Sequence, residues 1–224
     1  MNTTLNYYLV LSLSLFCGLY ALYYSFQGII GKFEFKTDRK LFVSLCIITT
    51  ITDFLSFLMY KKILILHPQW YFFPIHFYIL LQHILLCMLY SCWLSPMEKK
   101  YAYYNAIGMI ILWCILKITN LEPFNKIETV TVPISHFFLF IQSFHFIVNL
   151  DKRTTTNPKI DPLHQIGSVN VIYFGLMTLT FSLVNYNKFF WNFVFLFNIF
   201  QYGYYIYALY LFSKKTNFEI HDWL

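Results

Sequence analysis

Asp53 is the one acid among 10 that lies deep inside an apolar stretch of the chain, and its chemistry sets the first question. A carboxylate at the centre of a lipid-facing helix costs at least about 2.5–3.5 kcal/mol, so Asp53 is expected to face other helices and to be paired there or protonated. At about 100° per residue Thr49, Asp53 and Ser56 share one helical face. His76, His83, Cys87 and Tyr90 share a face of the next apolar segment, with Gln82 on its flank. Two later segments repeat the pattern with Gln142, His145 and Asn149, and with Asn198, Gln201 and Tyr205. Lipid gives such stripes no partner except one another, which predicts a polar centre at mid-membrane. Its candidate ligand-binding residues are Asp53, Gln82, His83, Gln142, His145, Asn198 and Gln201, and the occupant would be a cation, a proton or a small polar molecule. The competing reading makes the same groups interhelical hydrogen bonds and nothing more.

More specific chemistry is tested by spacing. Imidazole and carboxylate at one depth are zinc or iron ligands in principle, but no ligand spacing supports a metal site here. His76 with His136 and His83 with His145 form depth-matched pairs, as a bis-histidine haem would require. His136 and His145 are nine residues apart, about 180° around a helix, so they cannot both face the same neighbour and haem is disfavoured. His136, close to the start of its segment, is expected to be hydrated at the interface. Covalent retinal needs a lysine deep in the last span, and residues 190–212 contain none. The Pro68-Gln69 dipeptide of the PQ-loop transporters falls in a loop and has no second copy. No GxSxG, HExxH or Walker A sequence is present, so no catalytic residue is assigned and the reading leans away from an enzyme.

These residues need helices to hold them. A chain that is 58% hydrophobic and 12% charged, with a mean hydropathy of +0.56, has lipid as its solvent. Seven apolar stretches run at about Tyr8 to Ile30, Leu41 to Tyr60, Phe72 to Leu94, Tyr101 to Ile118, Thr131 to Leu150, Ser168 to Asn185 and Phe190 to Phe212. Each has roughly 18–23 residues, enough to cross a hydrocarbon core of about 30 Å. The sequence therefore predicts an all-α, polytopic seven-helix bundle, one membrane domain over residues 1–224. The first span lacks a basic leader and a cleavage site and reads as retained. With the N-terminus outside, 11 of the 16 basic residues fall on the cytoplasmic side: Lys32, Lys36, Arg39, Lys40, Lys99, Lys100, Lys152, Arg153, Lys159, Lys214 and Lys215. Lys61, Lys62, Lys117, Lys126 and Lys188 stay outside, Lys117 snorkelling to the headgroups, and the split predicts a cytoplasmic C-terminus. The net charge of +6 is then a topology signal and calls for no nucleic acid. Pro74 and Pro133 sit in first turns, whereas Pro68, Pro96, Pro123, Pro158 and Pro162 read as loop residues. The five cysteines lie within spans, form no CxxC pair and read as small apolar side chains. The 22% aromatic content reads as a compositional bias rather than as the lining of a pocket.

Three short runs carry a likeness to known sequences: Ile51-Thr52-Asp53-Phe54-Leu55-Ser56-Phe57, Tyr78-Ile79-Leu80-Leu81-Gln82, and the opening of the last span from Trp191 to Asn198. They resemble a group of uncharacterised bacterial seven-span membrane proteins. The resemblance implies a seven-helix fold and a bacterial inner-membrane address, not an activity. In that group the position of Gln82 is commonly a glutamate, so this chain has one intramembrane acid fewer. The expected function is a membrane-embedded component that binds a small ligand or serves signalling or accessory roles, with the lipid bilayer and either another membrane protein or a small polar ligand as partners. The alternative is a small-solute or proton-coupled transporter using Asp53 with His83 and His145. Transporters often carry inverted repeats and helices broken at the midplane; here no mid-span proline occurs and Gly18, Gly108, Gly175 and Gly203 follow no pattern.

Overall fold

A computed structural model describes residues 3–31, 35–64, 67, 70, 72–126, 130–153, 161–184 and 191–221. The Pro68-Gln69 dipeptide, Pro158 and the basic residues Lys32, Lys159 and Lys188 lie outside the described residues. The described residues form seven α-helices: α1 (Thr3–Ile29), α2 (Thr37–Tyr60), α3 (Phe73–Ser91), α4 (Pro96–Ile118), α5 (Thr131–Arg153), α6 (Pro162–Val184) and α7 (Trp191–His221). The first six are each long and apolar enough to cross a membrane, which makes the chain a multi-pass membrane protein. α7 is the longest at 31 residues.

Helix ends follow local chemistry, and two of them depart from the sequence reading. Pro96 and Pro162, expected in loops, open α4 and α6, because a first-turn residue has no intrahelical N–H bond to lose. Ser95 caps α4 with a full capping box: its hydroxyl accepts from the Glu98 N–H while Glu98 Oε2 accepts from the Ser95 N–H at 2.8 Å. At α6 the Asp161 carboxylate accepts from the Leu163 N–H. These starts place α4 and α6 about one turn or more upstream of the apolar stretches that mark them. The α5 N-terminus is held by Glu122, 3% exposed, whose carboxylate accepts from the backbone N–H groups of Val130 and Thr131 and from the Thr131 hydroxyl.

Six helices pack as a ring, in the order α1, α2, α3, α5, α6, α7 and back to α1, and α4 lies outside it against α3 and α5. Two seams are close because of glycine. A Cβ on Gly18 would come within 2.4 Å of Thr50 Oγ1, so α1 and α2 touch nearly backbone to backbone, and Thr50 donates to the Ser14 carbonyl at 2.7 Å. Gly167 leaves similar room for Ile147 and Phe146 where α6 meets α5. The interior is aromatic: Phe42 meets Tyr205 edge-on at 5.0 Å, Tyr90 stacks on Phe146 at 4.8 Å, and Tyr24 and Phe42 both lean on Phe212. α4 buries only Ala102, Ala106, Met109 and Leu116, and turns Tyr101, Tyr104, Ile107, Ile111, Ile115 and Ile118 outward.

Candidate ligand site and the buried polar chains

The polar stripes do meet inside the bundle, but as separate chains of hydrogen bonds. The central one joins α7, α6, α3 and α5. Tyr205 donates to Asn170 Oδ1 at 2.8 Å, Asn170 Nδ2 donates to the Tyr90 hydroxyl at 2.8 Å, and Tyr90 meets Ser143 Oγ at 2.8 Å. Ser143 spends its own proton on the Leu139 carbonyl, so Tyr90 must be the donor to it. Gln201 Nε2 donates to Tyr205 and, at 3.4 Å, to Asn170 Oδ1. Every proton in this chain points the same way, from α7 toward α5, and the buried groups satisfy one another without a ligand.

Asp53 belongs to a second group. Its Oδ2 accepts from the Tyr202 hydroxyl at 2.6 Å, linking α2 to α7 across the inner face of α1. Buried Ser14 of α1 lies beside the carboxyl, and Tyr78 and Tyr173 lie within its electrostatic reach. Thr49 Oγ1, whose proton goes to the Leu45 carbonyl at 2.8 Å, meets the Tyr78 hydroxyl at 3.2 Å, and Tyr173 donates to Asn198 Oδ1 at 2.8 Å. The acid of the second span is therefore ringed by hydroxyls from α1, α3, α6 and α7, not by imidazoles.

The third chain ends differently. His83, wholly buried, contacts Ser135 Oγ through Nδ1 at 2.9 Å and Asn105 Oδ1 through Nε2 at 3.3 Å. A carbonyl oxygen only accepts, so the imidazole proton is on Nε2, and Nδ1 accepts from Ser135. Asn105 Nδ2 passes the sequence on to Gln142 Oε1 at 2.8 Å, which also accepts from the Cys87 thiol at 3.1 Å. The direction of donation leaves Gln142 Nε2 at the end of the line, buried and with no acceptor. Gln142 is 8% exposed and lines a cavity of about 540 Å³ between α4 and α5. Glu98 and His145 stand at one end of this groove, with Glu98 Oε1 3.4 Å from His145 Nε2. Gly108, Met109, Leu112, Ile134 and Phe138 form the other end.

Two histidines fall elsewhere. His136, expected at a hydrated interface, is 3% exposed and packs on Tyr173, Phe174 and Phe181, because α6 covers that face of α5. His76 donates through Nε2 to the Lys126 carbonyl at 2.8 Å and accepts at Nδ1 from Lys117 Nζ at 2.7 Å. Lys117 also donates to the Glu122 carbonyl at 2.9 Å, tying α4 to α3 and to the loop before α5.

Of the residues singled out in the sequence, Gln142 and His145 line the groove, and His83 is connected to it through Asn105. Asp53 and Asn198 belong to the tyrosine group, Gln201 to the central chain, and Gln82 is buried at 3% exposure. Asn105, Asn170, Tyr173, Tyr202 and Glu98 escape the sequence reading as site residues. The two asparagines are lone amides on spans without a polar stripe, and the tyrosines are hidden in a chain with 19 of them. Among the described residues no three of His, Cys, Asp and Glu come together as metal ligands. Compared with known proteins, the chain matches no family model, no curated protein and no solved structure.

Proposed function

We propose that this chain is a seven-span, membrane-embedded ligand-binding component, acting in signalling or as an accessory to other membrane proteins, and that its ligand occupies the groove between α4 and α5. The observation that carries the reading is the unserved amide of Gln142. The central chain satisfies itself, whereas this one stops at the buried amide nitrogen of Gln142, a residue that lines a cavity whose volume falls within the range of small-molecule sites. A buried donor without an acceptor costs about 1–3 kcal/mol, and a bound acceptor recovers that cost. A transporter reading would join Asp53 to His83 and His145, and their hydrogen bonds run instead to Tyr202, to Ser135 and Asn105, and to Asn149.

In this reading α7 is the seventh span, the N-terminus faces outward and the C-terminus the cytoplasm, in the inner membrane of a bacterium. The distribution of Lys and Arg and the resemblance to bacterial seven-span proteins support it. The functional test is native mass spectrometry of the protein extracted in mild detergent. A non-covalent adduct on the 27.0 kDa chain is expected, and it should disappear in Gly108→Leu, where a side chain meets open space in the groove. Absence of any adduct in the unaltered protein, or an adduct indifferent to Gly108→Leu, would remove the groove as the site. A reporter fused after the last residue, active only in the cytoplasm, tests the orientation.

A further inference from the structure

We infer that the ligand of this groove is an acyl ester with an uncharged, hydroxyl-bearing head, whose carbonyl accepts from Gln142 and whose chain lies along Gly108 and Phe138. The inference rests on the ligand-binding reading above and names its chemical class. The groove is polar at one end and apolar at the other, which suits an amphiphile rather than a polar metabolite. Gln142 Nε2 asks for an acceptor, since its own carbonyl is already taken by Asn105 and Cys87. A carbonyl oxygen meets that demand. The head must also sit beside Glu98, which is 22% exposed and keeps an anionic phosphate or carboxylate away by like charge while accepting well from hydroxyls.

The dimensions agree. From Glu98 to Leu112 the α4 wall rises by about 21 Å at 1.5 Å per residue. That exceeds the roughly 15 Å of one leaflet's hydrocarbon, so a single chain anchored at the Glu98 end is accommodated along its length. Phe138, Ile141 and Tyr104 flank the opening and are 45%, 46% and 65% exposed, so the groove opens sideways and a lipid enters from the bilayer without crossing water. With the proposed orientation the polar end lies on the cytoplasmic side, where the ester of an inner-leaflet lipid would stand.

The probe is a monoacylglycerol with a diazirine in its tail, doped into nanodiscs of diether phosphatidylcholine, which has no ester carbonyls of its own. Irradiation is expected to label peptides of α4 and α5, and excess unlabelled monoolein should compete. Gln142→Leu should weaken labelling about three- to tenfold, the loss of one hydrogen bond. Gly108→Leu should abolish it, and because a Cβ there meets nothing within 4 Å and leucine favours helix, that variant keeps the fold. Repeating the experiment in diester phosphatidylcholine discs tests the head: undiminished labelling is expected, and suppressed labelling would show that a phosphate-bearing lipid occupies the groove and would overturn the uncharged head. Labelling spread over the lipid-facing helices and equal in Gln142→Leu overturns the inference. So does recovery of the label on a co-purified protein helix seated in the groove. If the acyl probe fails while Gly108→Leu still removes a native adduct, the ligand class is wrong and the ligand-binding reading stands.

Discussion

Replacing Tyr202 by phenylalanine removes one oxygen and isolates the Asp53 carboxyl group. The bond it breaks is 2.6 Å long and is the direct polar link between α2 and α7. Hydrogen bonds to a carboxylate contribute about 1.5–3 kcal/mol, so Tyr202→Phe should lower stability by about 2 kcal/mol. For a chain of this size that is a fall of about 4–8 °C in Tm. Asp53→Asn keeps a carbonyl acceptor for the tyrosine and should cost about 1 kcal/mol. Asp53→Leu strands the Tyr202 hydroxyl instead, at about 1–3 kcal/mol. The double variant Asp53→Leu with Tyr202→Phe strands neither partner, so its loss should fall short of the sum of the two single losses by at least about 1 kcal/mol. Thermal unfolding in detergent, followed by intrinsic tryptophan fluorescence, measures all four proteins under one condition. Effects that add to within about 0.5 kcal/mol would refute the pairing and leave Asp53 without its assigned partner.

Three further outcomes follow from the same coordinates. Tyr90→Phe breaks the one-way chain in its middle, leaving Asn170 Nδ2 without its acceptor, and should destabilise by about 1–3 kcal/mol in the same thermal assay. Gly18→Val drives a branched side chain into Thr50 and should cost about 1–3 kcal/mol, part of which Thr50→Ala should return in the same thermal assay. Ser95→Ala removes half of the capping box, should lower stability by about 1 kcal/mol, and should loosen Glu98 enough to raise hydrogen exchange in the first turn of α4.

The helices were legible because lipid permits little else: six apolar stretches of the right length became six helices, and the intramembrane acid turned toward neighbouring helices as its solvation cost demands. Helix starts were less legible, since Pro96 and Pro162 carry the same letter whether they sit in a loop or in a first turn, and only the caps at Ser95 and Asp161 decide. Depth matching brought the right classes of residue inside but could not say which stripe meets which. Depth is read along one helix, whereas pairing depends on the order of helices around the ring. That order sets Asp53 opposite Tyr202 and sends His83 toward α4 and α5. Hydroxyls were the least visible donors, because a tyrosine in an aromatic-rich chain looks like packing until its oxygen is placed.

α4 is fastened to the rest by a handful of polar ties, Asn105 and Lys117 foremost, over a thin buried strip of Ala102, Ala106, Met109 and Leu116. In water such a helix would peel away, since its outer surface would have to be hidden. Hydrocarbon removes that pressure and presses on the helix from every other side. The width of the gap beside it is therefore set partly by the surrounding membrane: thicker or more ordered lipid narrows the slot, and fluid, loosely packed lipid lets it widen.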